Sequence, residues 1–455
     1  MARTAELRHK YFSQFHMWVA NGPFYGWLTS PRIRSLHAKF PPLPEWAVRR
    51  IGTRGLAIPR SLEIPALPDA LKTYPGVPRD RQAAEQAIQE QGPLPRWTSV
   101  HAAGMACLRR HQWLLDVFTI PRRNRENVRV GRLKKMSLGA RPAVDAAELT
   151  RMVKAKADEI GFAAIGIADR DPQITFAPYR DSKPIGDTVI VCVVEQAYEV
   201  TQTIPSFKAE LAHYDTYMKE FPTYLARYLK SLGYEADVFG EHGMNIGYAI
   251  EAGLGQIGLN GLLLTPFAGP RIRLHIVLTN APLLRDKPVD YGIPAICEKC
   301  QSCVRNCPAG AIRSSREWHR GVYKAKIKTE RCLPVVIQAH GCGVCMKVCP
   351  VQRYGLPAII DEFKSSGKIL GVGTDELEGF VWPMDGKHYG PGQKPRAAIS
   401  EAFQNPQHYY FDPDVFDGQE STGETGGVGT VVEKEKKSRR QAKAEEDQGE
   451  GMPLM

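Results

Sequence analysis

Eight of the ten cysteines fall between residues 297 and 349, in two runs that repeat one spacing. The first is Cys297-x-x-Cys300-x-x-Cys303-x-x-x-Cys307-Pro308. The second is Cys332, followed by Cys342-x-x-Cys345-x-x-x-Cys349-Pro350. Thiolates two and three residues apart on a tight loop bind three corners of one 4Fe–4S cubane, while the fourth cysteine reaches away to the other cluster. That logic assigns Cys297, Cys300, Cys303 and Cys349 to one cluster, and Cys307, Cys332, Cys342 and Cys345 to the other. Four-cysteine zinc sites also use C-x-x-C and are the structural alternative, but two C-x-x-C-x-x-x-C-P halves favour iron–sulfur. Disulfides would not repeat a ligand motif twice. Cys107 and Cys192 stand apart, and Cys192, within the apolar run Val189–Val194, reads as a buried small hydrophobe. Two cubanes form a short electron wire, so electron transfer is the first expectation.

A chain of 455 residues accommodates two or three domains. The net charge of +11 is unevenly placed. Residues 1–140 hold 23 Lys and Arg against 9 Asp and Glu, whereas the remainder holds 37 against 40. The excess includes the run Arg122, Arg123, Arg125, Arg129, Arg132, Lys134 and Lys135. With the aromatic stretch Tyr11, Phe12, Phe15, Trp18, Phe24, Tyr25 and Trp27, this region suits a membrane surface, an acidic redox partner or RNA. A solvated surface packed on the protein's own core is the plainer reading. Because the rest of the chain is slightly acidic, nucleic acid is not an expected partner. No run of about 18 apolar residues is present, and Met1–Lys10 lacks the apolar core of a secretory signal, so a cytoplasmic location is expected.

A regular alternation of helix and strand begins near Val144. Asp145–Gly161 reads as an amphipathic helix with Asp145 as N-cap and Gly161 as stop. Phe162–Ala168 and Thr188–Val194 read as buried strands. Lys219–Leu232 reads as a helix, Ala236–Phe239 as a short strand, Ile246–Ala252 as a helix and Arg271–Asn280 as a strand. The expected organisation is a basic, aromatic- and Pro-rich region at 1–143, an α/β core at 144–291, the cysteine module at 292–355, an extension at 356–412 and a disordered tail at 413–455.

Gly253-x-Gly255-x-x-Gly258 matches the dinucleotide fingerprint, which requires a preceding strand, a following helix and an acidic residue about 20 positions on. Here the preceding segment is helical in pattern, Pro266 interrupts any helix after the glycines, and the next acidic residue is Asp286. The glycines instead suit a tight turn or close approach of backbone to a large planar ligand.

The segment Ala252-Gly253-Leu254-Gly255-Gln256-Ile257-Gly258-Leu259-Asn260-Gly261 is followed by Leu264-Thr265-Pro266, Gly269-Pro270-Arg271-Ile272-Arg273 and Thr279-Asn280-Ala281-Pro282-Leu283. With the paired cysteine runs behind it, this combination resembles the corrinoid-dependent iron–sulfur reductive dehalogenases, a superfamily shared with epoxyqueuosine reductase. The resemblance covers roughly residues 145–355. It implies an α+β architecture: a nitroreductase-like α/β core holding cobalamin base-off, fused to a ferredoxin-like module with two 4Fe–4S clusters. Electrons from a donor such as ferredoxin or flavodoxin would pass through both clusters to the cobalt, and a small organohalide or related electrophile would be reduced. Gly253, Gly255, Gly258, Asn260 and Thr265 would contact the corrinoid. The family's Tyr-x-x-Tyr pair falls on Tyr214 and Tyr217 and its cationic partner on Arg273. Tyr214 would be the proton donor, its phenol made more acidic by the guanidinium.

Several positions depart from the pattern. An Asn usual in the dehalogenases has no clear counterpart in the loop from Gly240 to Asn245; there Glu241 could serve as an acid, as in epoxyqueuosine reductases, and His242 as a relay. Pro350-Val351-Gln352-Arg353 also differs from the Cys-Pro-Trp-Asn expected of either subgroup. Two further readings therefore stand beside the dehalogenase-like one: a tRNA-base reductase of the epoxyqueuosine type, and a non-catalytic two-cluster electron carrier. Bound cobalamin separates the first two from the third.

Overall fold

The computed structural model describes residues 64–72, 75–91, 132–180, 184–196, 198–202, 221–238, 243–328, 331, 332, 335, 342–382 and 385–395. Cys107, the aromatic stretch 11–27, Arg122 to Arg129, Tyr214, Tyr217, Glu241, His242 and the tail lie outside them.

The alternating pattern folds as a four-stranded antiparallel sheet between two layers of helices. Its strands are β1 (Ala164–Asp169), β2 (Thr188–Glu195), β3 (Ala236–Val238) and β6 (Ile272–Thr279), in the order β1-β2-β6-β3. Strand β2 is central, and seven of its eight residues are buried. That explains its run of β-branched residues, interrupted only by Cys192: with both faces covered, neither parity of side chain meets water. One face, carrying Ile190, Cys192, Val194 and Val277, packs on helices α1 (Ala146–Ile160) and α2 (Phe221–Ser231). The other, carrying Val189, Val191, Val193, Ile276 and Leu278, packs on helix α3 (Asn245–Glu251) and the loops after it. Cys192 is fully buried in the first of these cores, as its apolar neighbours predicted.

Local signals set the helix ends. Asp145 Oδ1 accepts a hydrogen bond from the Glu148 N–H at 2.7 Å, and Gly161 takes the left-handed conformation that ends α1. Strand β1 begins at Ala164, two residues later than the pattern suggests, because Gly161 and Phe162 still bond back to Ala157.

Behind α3 the chain forms the hairpin β4 (Gln256–Ile257) and β5 (Leu263–Leu264) rather than a nucleotide-binding turn. The cysteine module comes next: α4 (Ile293–Cys300), α5 (Ser302–Arg305), the hairpin β7 (Glu317–His319) and β8 (Val322–Lys324), α6 (Val344–Lys347) and α7 (Pro350–Tyr354). Residues beyond 355 share its core. Helix α8 (Leu356–Ser366) buries Leu356, Ile359 and Ile360 against Ile293, Ile296 and Cys349, and α9 (Asp375–Glu378) buries Leu377 and Glu378. Parts of the N-terminal region also lie on this body. Leu71 is buried in the module, Leu133 lies under α1 and α2, and Arg79 forms a bridge with Val322. Among the described residues no helix is long and apolar enough to cross a membrane.

Two glycines fix how the β4–β5 hairpin sits. A Cβ on Gly255 would lie 2.2 Å from the Leu264 carbonyl oxygen, and one on Gly253, which has φ +70°, would lie 2.4 Å from the Lys287 oxygen. Both approaches are backbone on backbone, so no side chain can rotate away. Gly367, at φ +68°, has nothing within 4 Å of its Cβ direction. We therefore expect Gly367→Ala to cost about 1–2 kcal/mol, the backbone term alone, and Gly255→Ala to cost clearly more. Thermal melts followed by circular dichroism check this; a Gly255→Ala protein that melts with the wild type would contradict the packing described.

Candidate functional site

The two cysteine runs are brought together by short helices that stop where the ligand spacing needs a turn. Cys297 and Cys300 lie one turn apart on α4. Gln301 then adopts a left-handed conformation, φ 55°, and the chain restarts as α5 with Cys303 on it. Cys345 lies on α6, and Cys349 precedes α7, which Pro350 opens in the position where a missing N–H costs nothing. All nine described cysteines are free thiols.

Burial pushes the Cys297, Cys300, Cys303, Cys342, Cys345 and Cys349 thiols up, to about 11 for Cys297 and about 12 for Cys342, and for Cys297, Cys303, Cys342, Cys345 and Cys349 the neighbouring cysteines add to it. The pattern of repulsion sorts them. Cys303 feels Cys297, Cys349 and Cys300, and Cys349 feels Cys297 and Cys300. Cys345 feels Cys342, Cys332 and Cys307, and Cys342 feels Cys332 and Cys307. The two groups adjoin at Cys303, Cys345 and Cys349: Cys303 also feels Cys345, and Cys345 also feels Cys349. Buried thiols that oppose one another's ionisation need a positively charged centre to become thiolates. All eight lie among the described residues, yet no three His, Cys, Asp or Glu there converge tightly enough for a single ion. Backbone N–H groups of Leu259, Ser302, Ala311, Val344, Val351 and Gln352 point at the sulfurs of Cys297, Cys300, Cys307, Cys342 and, for the last two, Cys349.

The glycine segment links this centre to the sheet. Leu259 is buried between Cys297, Cys303, Cys307 and Cys345. Asn260, also buried, donates from Nδ2 to the Cys345 carbonyl at 3.4 Å and accepts from the Leu262 N–H at 3.2 Å. Thr265 closes a turn, donating to the Gly269 oxygen and accepting from the Ala268 N–H, each at 3.2 Å. A Cβ on Gly258 would meet Asn260 Oδ1 at 2.8 Å. Gly253, Gly255, Gly258, Asn260 and Thr265, the five residues expected to contact a corrinoid, are thus engaged by the protein's own backbone and side chains.

A second polar group lies where β2 and β6 meet the module. Arg273 pairs across the sheet with Val194, is half-buried, and is pushed down to about 10 by burial, so it stays cationic at neutral pH. With the Gln196 amide turned so that its oxygen accepts, Arg273 Nε and Nη2 both donate to it at 3.2 Å. His275 shares that face and is pushed down to about 3 by burial and by the Arg273 charge. Arg271, fully buried, pairs with Glu195 at 2.7 Å, and its guanidinium lies 5.8 Å from the Tyr198 ring. Arg353, from the second Cys-Pro run, donates to the Tyr198 hydroxyl at 2.7 Å. Of the two residues expected to act on substrate, Arg273 is found here, and Tyr214 lies outside the described residues. Arg271, His275, Gln196 and Tyr198 were missed; the signal was the alternation of polar residues at 271, 273 and 275 in an otherwise apolar strand.

A depressed His275 makes the fold sensitive to acid. Neutral His275 binds no proton in the folded state until about pH 3, whereas unfolded histidine binds one near 6.5. Its contribution is full above about 6.5 and is lost as pH falls toward 3, at up to about 1.4 kcal/mol per pH unit. In His275→Asn, unfolding free energy should fall less steeply with pH than in wild type between pH 6 and 4. Parallel slopes in denaturant titrations would contradict a buried neutral imidazole.

A 4Fe–4S dicluster domain matches residues 296–353. The chain is 32% identical over 212 residues to the tetrachloroethene reductive dehalogenase of Sulfurospirillum multivorans, covering 43% of this chain and 42% of that one. It is 30% identical over 173 residues to the epoxyqueuosine reductase of Salmonella typhimurium, covering 36% and 44%. Among solved structures, a catabolic reductive dehalogenase in complex with 3-bromo-4-hydroxybenzoic acid matches with a TM-score of 0.49 at 21% identity, covering 72% of this chain and 55% of that one. The chain spans about two fifths of the length of the curated relatives it matches. The resemblance expected from the glycine segment thus holds: the chain carries a 4Fe–4S dicluster match and is similar to reductive dehalogenases and epoxyqueuosine reductases.

Proposed function

We propose that the chain is an oxidoreductase that passes electrons through two 4Fe–4S clusters to a base-off corrinoid, at which an organohalide or related small electrophile is reduced. Cys297, Cys300, Cys303 and Cys349 hold one cluster; Cys307, Cys332, Cys342 and Cys345 hold the other. The observation that carries this reading is the division of eight cysteines into two mutually repelling groups, with the glycine segment bonded to one member of each. The groups adjoin, so an electron delivered by a carrier such as a ferredoxin or flavodoxin has a short path across the module.

The corrinoid's fit is tested by buried polar atoms without partners among the described residues: Arg271 Nε and Nη2, His275 Nε2 and Gln202 Oε1. An unmet buried donor or acceptor costs about 1–3 kcal/mol, and a large amide-bearing ligand supplies both kinds of partner. When bound, the corrinoid would provide the reducing centre at which the leaving group departs. The chain's own part is the proton. Arg273, held by the Gln196 amide, keeps a fixed positive charge where β2 and β6 end toward the cysteine module. A cation beside a phenol favours the phenolate and brings its pKa down from about 10 toward the working range. Tyr214 is the donor in this reading, with Arg273 as its cationic partner.

Tyr214→Phe should retain iron and corrinoid while losing turnover by roughly 10²–10⁴-fold, the size of a general-acid contribution. Arg273→Gln should move the alkaline limb of the rate profile to higher pH, because the donor phenol loses the cation that lowers its pKa. Near-normal turnover by Tyr214→Phe with a reduced corrinoid would overturn the assignment. Conversion of epoxyqueuosine in tRNA in place of any small electrophile would shift the reading to the other branch of the relatives.

A further inference from the structure

Glu378 is a carboxylate with no exposed surface, placed by α9 against the first cysteine run. Four donors converge on it. Its Oε1 accepts from Ser302 Oγ at 3.0 Å, Arg305 Nη2 at 2.6 Å and the Gly373 N–H at 2.9 Å, and its Oε2 accepts from Asn306 Nδ2 at 2.5 Å. Burial alone would push its carboxyl up, but the Gly373, Asn306 and Arg305 donors outweigh that and hold it below the ordinary range, so it is a fixed anion. Lys347 ties the same segment down from the second run, donating to the Leu377 carbonyl at 2.8 Å and to that of Gly379. The ion pair with Arg305 explains part of this arrangement. It does not explain Ser302.

Ser302 is fully buried and its hydroxyl has one proton with two acceptors. Glu378 Oε1 lies at 3.0 Å and Cys300 Sγ at 3.3 Å, while Arg305 Nη2 donates to the same oxygen at 3.2 Å. A protonated Cys300 thiol can itself donate to Ser302. A cluster-bound Cys300 has no proton, so its sulfur only accepts, and the Ser302 proton must choose. Bonds to a carboxylate are shorter and roughly twice as strong as neutral ones, which favours Glu378. Hydrogen bonds to cluster sulfurs and nearby net charge are two of the factors that set a cluster's potential.

We propose that Glu378 is a positioning residue that lowers the reduction potential of the cluster bound by Cys300, by drawing the Ser302 proton away from the Cys300 sulfur and by opposing the charge of Arg305 beside it. This rests on the cluster assignment above. The C-terminal extension then does more than cover the module: it biases one of two otherwise similar clusters, giving electron flow a direction.

The test is a redox titration followed by electron paramagnetic resonance on the full chain, reconstituted with iron and sulfide. In Glu378→Gln, one of the two potentials should rise and the other stay. In Ser302→Ala both should stay, because the hydroxyl removed was not serving the sulfur. The double variant should rise less than Glu378→Gln alone, since no hydroxyl remains to turn toward Cys300. Unmoved potentials in Glu378→Gln, or a fallen potential in Ser302→Ala, would overturn the proposal. If Glu378→Gln fails to hold iron, Ser302→Ala still decides it. A wild-type chain that takes up no iron would overturn the cluster assignment and this proposal together, whereas two clusters with unmoved potentials would overturn this one alone.

Discussion

The structure depends on one close passage of backbone. At Gly253 and Gly255 the chain leaves α3 and runs against the Lys287 and Leu264 carbonyls at distances no side chain tolerates. That contact sets the β4–β5 hairpin, and the hairpin's loop carries Leu259 and Asn260 in among the cysteines. The sheet and the cysteine module are thereby held in one register. A module packed only through Leu264, Ile293 and Leu356 would have an apolar interface free to slide; the hydrogen bonds of Leu259 to Cys297 and of Asn260 to Cys345 fix it at both cysteine groups. Electron transfer is sensitive to such placement, so rigidity here is a functional property.

Charge is arranged with the same economy. The module's interior is hostile to thiolates, and the Cys297, Cys303, Cys345 and Cys349 thiols are all pushed up by burial. Two buried ionisable groups frame it from the extension side. Glu378 collects donors from the first run, and Lys347, pushed down to about 8 by burial, caps the carbonyls at the end of α9. On the sheet side the charges are cationic: Arg271 and Arg273, the first paired with Glu195 and the second held by Gln196. The cysteine module therefore has the buried Glu378 carboxylate and Lys347 on its extension side, and buried Arg271 with half-buried Arg273 on its sheet side.

Local features were legible in the sequence because they are decided locally. Asp145 and Gly161 mark the ends of α1 by capping chemistry, and the doubly covered β2 shows itself as an unbroken apolar run. The cysteine spacing likewise carries its own grouping, since the crossing of the fourth ligand is a property of the loop. Long-range convergence left no such trace. Tyr198, Arg271 and Arg353 meet only when the second Cys-Pro run packs on the sheet edge, and nothing near any one of them announces the others. Glu378 sits in a segment that composition alone sets apart as an extension, yet its carboxylate belongs to the first cysteine run. The glycines were half legible: a need for close approach was plain, but Gly253 and Gly255 meet the protein's own backbone.

Cofactor content separates a corrinoid reductase from an electron carrier most directly. Protein purified anaerobically and reconstituted with iron, sulfide and cobalamin should contain about eight irons, two cubanes' worth, and one cobalt per chain, with the absorption spectrum of a base-off corrinoid. Eight irons with no retained cobalt would contradict the corrinoid reductase and leave a two-cluster electron carrier, in which Arg273 has no substrate to serve.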